Sequence, residues 1–167
     1  INENTSLQRG GGVWILGNAE GEINFTGNLI SNNYSVGHGG GIFIGAGSEI
    51  NLTNSTIAAN TVSSGDVFGA GIYSDGGTAN LVNSIVYYNR RLEDYGPQYN
   101  INGWREEFFL EYNISYSDIE GEEDWIPEGE GNISVDPEFI DFENSGDYTL
   151  QEGSPCIDAG TADTDGD

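Results

Sequence analysis

Apolar and polar positions alternate in short blocks along this chain, and the blocks return in a fixed order. Val13 and Ile15 alternate with Trp14 and Leu16, the period of two expected of a β-strand. In residues 22–26, Ile23 and Phe25 share one face while Glu22, Asn24 and Thr26 share the other. A short third segment, residues 28–33, precedes a Gly-containing loop around His38. The order then repeats: Ile42 and Ile44 flank Phe43, Glu49–Thr53 nearly copies residues 22–26, and residues 54–60 close the unit. In a third unit Ile72 precedes Tyr73, Thr78–Val82 takes the middle slot and residues 83–89 the closing one. A degenerate fourth unit spans 98–121, with residues 112–119 expected in the closing slot.

Glycine marks the same period. Gly10-Gly11-Gly12, Gly39-Gly40-Gly41 and Gly69-Ala70-Gly71 open the three units, and their last glycines lie 29 and 30 residues apart. Asn54, Asn83 and Asn113 are likewise spaced by 29 and 30. A period of this size belongs to repeat architectures in which each unit buries its apolar side only against its neighbours. Three short strands per unit, with no helical stretch between them, predict an all-β fold. The expected form is a parallel β-helix of about four coils, a rod only about 20 Å long at the ~4.8 Å strand spacing. Asn60 and Asn89 recur at one turn, where stacked amides would bond from coil to coil; the glycines are expected to supply positive φ at the corners.

The pattern breaks near Gly121. Residues 1–121 are read as coils, the first nine as the remnant of an earlier turn. Residues 122–160 are read as an irregular C-terminal cap over an otherwise open edge, and 161–167 as an acidic tail.

Composition narrows the picture. Of 167 residues, 36% are hydrophobic, lean for a globule but suited to a thin solenoid, and 26 glycines without a Gly-X-Y period exclude collagen. The net charge is −24, with 28 acids against four Arg and no Lys. Such a surface repels nucleic acid and anionic membranes and attracts cations, calcium above all outside cells. Acidity also serves plain solubility. No apolar run approaches the ~20 residues of a membrane span, and with neither a starting Met nor a signal peptide the chain reads as a mature or excised segment. The lone Cys156 reads as a small buried residue.

Gly40-Gly41-Ile42 matches a Gly-Gly-(small)-Ile motif, and residues 57–60 match an aliphatic-x-x-Asn motif. The tail adds residues 116–121, 136–141, 147–150 and 153–160. Together these resemble the bacterial extracellular right-handed parallel β-helix repeat proteins, a pectin-lyase-like superfamily that includes surface proteins with polymorphic-outer-membrane-protein-like Gly-Gly-x-Ile repeats. The resemblance covers nearly the whole chain. It implies a fold and a secreted or cell-surface location rather than an activity.

Lyases and hydrolases of that superfamily use acids, Ca²⁺ and a basic residue on one strand face. The basic residues here are Arg9, Arg90, Arg91, Arg105 and His38. Arg90 and Arg91 are read as structural partners of Glu93 and Asp94, and His38 as a corner residue; 28 acids make any carboxylate pair easy to find, so none is nominated as catalytic. Asp163, Asp165 and Asp167, with Gly166 among them, match the first half of a Ca²⁺ loop, or else form a plain acidic tail.

Asn-x-Ser/Thr sequons at Asn4, Asn24, Asn33, Asn51, Asn54, Asn113 and Asn132 are glycan candidates. Glu22, Glu49, Glu111 and Glu130 precede Asn24, Asn51, Asn113 and Asn132 by two residues, an acidic sequon that resembles the preference of bacterial oligosaccharyltransferases. Strand alternation alone also gives this pattern at Asn24 and Asn51. Trp14, Phe43 and Tyr73 each follow their triplet by two residues and are expected to stack outward, as a contact surface for sugar or another chain or beneath a loop of this one. The expected function is a non-catalytic extracellular structural module, adhesive or self-assembling through an open coil edge. The alternative is a carbohydrate-active enzyme or polysaccharide-binding module.

Overall fold

A computed structural model describes residues 1–19, 21–63, 68–92, 100–103, 111–121 and 126–161. The chain opens with β1 (Thr5–Ser6), β2 (Val13–Ile15), β3 (Ile23–Thr26), β4 (Leu29–Ser31) and β5 (Tyr34–Ser35). The next turn holds β6 (Ile42–Gly45), β7 (Glu49–Thr53), β8 (Thr56–Ala58) and β9 (Thr61–Val62). A further turn holds β10 (Ile72–Asp75), β11 (Thr78–Val82), β12 (Ile85–Tyr87) and β13 (Arg90–Arg91), followed by β14 (Ile101–Gly103), β15 (Glu111–Ser115) and β16 (Asp118–Ile119). The last two strands are β17 (Phe139–Asp141) and β18 (Asp147–Leu150).

These strands stack into four parallel sheets of four strands each: β1-β5-β9-β13, β14-β10-β6-β2, β15-β11-β7-β3 and β16-β12-β8-β4. The fold is a parallel β-helix of about three turns, with four strands stacked in each sheet. Each full turn carries four strands, because two-residue strands such as β5 and β9 fill a corner that sequence alternation cannot reveal.

Register follows the alternation. Val13, Ile42, Ile72 and Ile101 stack in one column, and Ile23, Ile50, Ala79 and Tyr112 in another. Ile42, Ile44, Ile50, Leu52, Ile57, Ile72, Leu81 and Val86 are fully buried and fill the axial core. At about 25 cal/mol per Å² of apolar surface, that column is the main source of stability.

Asn113 departs from its expected slot. It pairs with Asn80, Asn51 and Asn24 in the middle sheet, not with Asn83 and Asn54. Residues 112–119 therefore divide between the middle and closing sheets, and the 30-residue spacing from Asn83 is coincidental. The last coil is longer: Asn80 and Asn113 are 33 residues apart, against 29 for Asn51 and Asn80.

Two corners turn on left-handed residues that are mostly not glycine. Glu3, Asn32, Ala59 and Tyr88, at φ of 54–58°, each precede one asparagine of a buried ladder. Asn4, Asn33, Asn60 and Asn89 each donate their backbone N–H and side-chain Nδ2 to the Oδ1 of the following member. Asn100 completes the series by accepting from Asn89 at 3.1 and 2.8 Å. Nδ2 of Asn60 and of Asn89 also reaches a carbonyl of the preceding turn, Ile30 O and Ile57 O. At the second corner Asn54, Asn83 and Tyr116 take positive φ before Ser55, Ser84 and Ser117. The Ser84 and Ser117 hydroxyls accept from the preceding serine's N–H, and Asn132 Oδ1 accepts from Ser117 N.

The glycine triplets serve close approach as well as conformation. Gly39 and Gly69 have φ of 72° and 62°, and a Cβ there would stand 2.9 and 2.6 Å from the Cβ of Phe43 and Tyr73. A Cβ on Gly12, Gly41 or Gly71 would press on the ladder amide of Asn33, Asn60 or Asn89 at 2.9–3.0 Å.

The segment beyond residue 121 is more than an end cap. Ile133 bridges Asp118 and extends the closing sheet by one strand position. The antiparallel pair β17–β18 then lies along the side of the rod. The Phe142 ring stacks on Tyr88 at 4.3 Å, and Phe139 meets Tyr148 edge-on at 5.3 Å. The chain continues to Thr161, whose N–H and carbonyl bond the Asn83 amide at 2.8 and 2.7 Å. Residues 126–161 thus form a lateral strap.

Asn60→Ala would leave Asn33 N–H and Ile30 O without the Asn60 amide in the interior and remove one hydrogen bond each from Asn33 Nδ2 and Asn89 Oδ1. It is expected to destabilise the fold by about 2–5 kcal/mol, since each buried unsatisfied polar group costs roughly 1–3 kcal/mol. Chemical denaturation of this variant beside the exposed-ladder variant Asn24→Ala checks it. Equal midpoints would remove the buried ladder as a source of stability.

Candidate functional site

The outward aromatics stack as the spacing predicts: Trp14 pairs with Phe43 and Phe43 with Tyr73 across neighbouring strands. Their exposure does not follow. Trp14 is 45% exposed, whereas Phe43 and Tyr73 are 2% and 1% exposed, so a three-ring contact surface is corrected to one open ring. The cover comes from the loops that precede the triplets. Arg9 lies over the Phe43 ring at 4.8 Å and reaches Asp75 at 3.5 Å. His38 stacks on Tyr73 at 4.3 Å and on Phe68 at 6.1 Å, while its Nδ1 accepts from Phe68 N–H at 3.0 Å. Burial, reinforced by the Arg9 charge, lowers the His38 pKa, and burial pushes the Tyr73 phenol up to about 12. Two of the five basic residues are therefore built into an aromatic stack. Arg90 stands over the Tyr88 ring at 5.6 Å. Arg105, Glu93 and Asp94 lie outside the described residues, as do Asp163, Asp165 and Asp167.

The sequon asparagines separate into three groups. Asn33 is fully buried, with Nδ2 donating to Asn60 Oδ1 and Ile1 O, so the folded chain has no room for a glycan there. Asn132 is half-buried and its Nδ2 serves the Ile114, Pro127 and Glu128 carbonyls; it ends the serine ladder. Both are withdrawn as glycan sites. Asn51 and Asn113 use Nδ2 in a second, outward ladder, Asn113→Asn80→Asn51→Asn24, at 2.7–2.8 Å per step, and Asn4 donates to Asn2 O and Asn33 Oδ1. Asn24 and Asn54 are exposed and donate no Nδ2 hydrogen bond among the described residues.

An acidic group went unnoticed in sequence because only the strap creates it. Asp118, 3% exposed, points outward from β16 beneath the strap. Its Oδ1 accepts from Val135 N–H at 3.0 Å and its Oδ2 from the Cys156 thiol at 3.1 Å. Glu120 Oε2 accepts from Tyr88 N–H and Asn100 Nδ2, and Asp136 Oδ1 from the Tyr88 hydroxyl at 2.6 Å. Burial pushes Asp118 up to about 6 and the Cys156 thiol to about 12. Each carboxylate thus fixes the strap or a corner by charge-assisted hydrogen bonds. A hollow of about 570 Å³ lies beside them, lined in part by Asn54, Asn83, Tyr116 and Asp158. Among the described residues no group of three or more His, Cys, Asp and Glu side chains is placed to hold a metal ion. No helix there is long and apolar enough to cross a membrane.

No family model, no curated protein and no solved structure matches the chain. The fold is therefore carried by the repeat and its geometry alone.

A raised carboxyl pKa favours the folded state fully below the ordinary value of 3.8, and this advantage is lost as pH rises through about 6. Asp118→Asn is accordingly expected to stabilise the protein at pH 7.5 by about 2 kcal/mol and to change it little at pH 4. Thermal melts of both proteins at the two pH values check this; a shift of the same size at both would show that ionisation is not the cause.

Proposed function

We propose that the chain is a non-catalytic structural module of an extracellular or cell-surface protein, a stalk or fibre segment that self-associates. The observation that carries this reading is the direction of the side-chain interactions. The buried asparagine ladder, the serine ladder, the outward asparagine ladder and the aromatic stack all run along the rod axis from turn to turn. Polar side chains arranged this way extend a rod. Catalysis instead needs groups converging on one reacting atom.

The motif resemblance to bacterial extracellular right-handed parallel β-helix proteins, with pectin-lyase-like and Gly-Gly-x-Ile repeats, supports the same location. A net charge of −24 suits an exposed, soluble surface. If the module is glycosylated, Asn24 and Asn54 are the acceptors the geometry favours. Asp163, Asp165 and Asp167 remain the calcium candidates, completed by ligands beyond their own alternate carboxylates. A polysaccharide-binding role is the second reading, favoured by the open Trp14 ring at the end of the aromatic column.

Sedimentation and negative-stain electron microscopy of the native protein are expected to show mass rising with concentration and elongated particles. Reducing-sugar and unsaturated-product assays on pectin, alginate and chondroitin are expected to show no turnover. Turnover on any of these would replace the structural reading with an enzymatic one.

A further inference from the structure

We propose that the strap is a pH-set clasp: protonation of Asp118 closes residues 134–161 onto the side of the rod, and its ionisation loosens them while the coils stay folded. The inference stands apart from the self-association reading above.

The way the strap is attached carries it. Ile133 is the last strap residue to join the rod by backbone pairing, where it bridges Asp118. Among the described residues, no backbone–backbone hydrogen bond ties residues 134–161 to the coils; those they make run within the strap, as in β17–β18. Side chains hold it instead. Asn83 grips Thr161, Ser134 Oγ accepts from Gly121 N–H, and Tyr88 meets Phe142 with its ring and Asp136 with its hydroxyl. Asp118 holds the strap in two places. Its Oδ1 accepts from Val135 N–H at 3.0 Å and its Oδ2 from the Cys156 thiol at 3.1 Å, so one carboxyl reaches the strap near both of its ends.

That carboxyl is 3% exposed, and a buried charge needs an opposite charge or several strong donors to hold it. Asp118 has one backbone N–H and one thiol, a weak donor. The charges facing it share its sign: Asp136 on the strap and Glu120 on its own strand both oppose its ionisation. Asp158 lines the hollow beside it. Arg90, from β13, acts on Glu120, and burial keeps the Tyr87 and Tyr88 phenols neutral. Burial is thus the first cause that raises Asp118 to about 6, and a lifted strap would return it to water and to the ordinary 3.8. The higher pKa belongs to the closed state, so closure takes up a proton. The clasp is tightest below about pH 4 and weakens as pH rises through about 6.

Cys156 is the single cysteine of the chain and reports on the clasp directly. Burial pushes its thiol from 9.0 up to about 12 while it is bonded to Asp118. A pyridyl disulfide, which forms a mixed disulfide and releases a thiopyridone in acid as well as at neutral pH, labels it at pH 4.5 and 7.5. The rate in denaturant divided by the rate in the folded protein gives the protection at each pH. Protection is expected to fall about tenfold or more from pH 4.5 to 7.5, and to stay high at both in Asp118→Asn. Tyr88→Phe, which loses the hydroxyl held by Asp136, is expected to lower protection by a similar factor at both. Hydrogen exchange of the wild type, corrected for the intrinsic rate at each pH, needs no variant. The Val135 and Ile157 amides are expected to lose protection at pH 7.5 while those of Ile57 and Ile72 keep theirs. Thiol protection that is the same at both pH values, or that falls equally in Asp118→Asn, overturns the inference. Parallel loss of exchange protection in the coils also overturns it, since the transition would then be global unfolding rather than release of the strap.

Discussion

The whole rod depends on hydrogen bonding at its corners. A strand in a parallel sheet finds partners for its backbone groups in the turns above and below, but a bend breaks that ladder and leaves N–H and C=O groups facing the interior. Here Asn33, Asn60 and Asn89 supply the missing partners: each Oδ1 accepts a backbone N–H of the preceding turn, and Nδ2 of Asn60 and of Asn89 donates to a carbonyl of that same turn. Because the amide is held by its neighbours on both sides, the corner repeats in register. The isoleucine columns can then stack without offset.

The same constraint explains the left-handed residues. Placing an asparagine side chain along the axis requires the chain to turn sharply just before it, so Asn32, Ala59 and Tyr88 take φ of 54–58°. Alanine and tyrosine bear that conformation at about 1–2 kcal/mol each. Tyr88 has an added reason to stay: its ring is the platform for Phe142 and its hydroxyl holds Asp136, so a bend residue also anchors the strap. Ser31 and Ala58, in the closing sheet, are buried as well.

Much of this was legible in the residues. Period-two alternation and the glycine spacing gave the coils, the inward isoleucines and the asparagine ladder at Asn60 and Asn89. What failed was non-periodic. The cover over Phe43 and Tyr73 comes from Arg9 and His38, single residues in loops whose aim no repeat encodes. Asn113 matched a false period because the last coil is longer, and only strand pairing restores it to Asn80. The strap joins Thr161 to Asn83 and Cys156 to Asp118 across long sequence separations. Sequons at Asn33 and Asn132 are indistinguishable from the others in sequence, although their amides serve buried corners.

Asn100 stands directly before Ile101, where Gly12, Gly41 and Gly71 stand before Val13, Ile42 and Ile72. In each internal turn the glycine leaves space for the ladder amide beside it; at the last turn the slot is filled by an amide that accepts from Asn89 and donates to Glu120. The terminator is thus written in the glycine column rather than in the ladder column. A gene duplication that copies one turn brings both a new ladder asparagine and the glycine that makes room for it, while the stop at Asn100 stays single. Such a chain can lengthen by whole turns without redesigning its end, which gives this small fold a simple route to rods of different length.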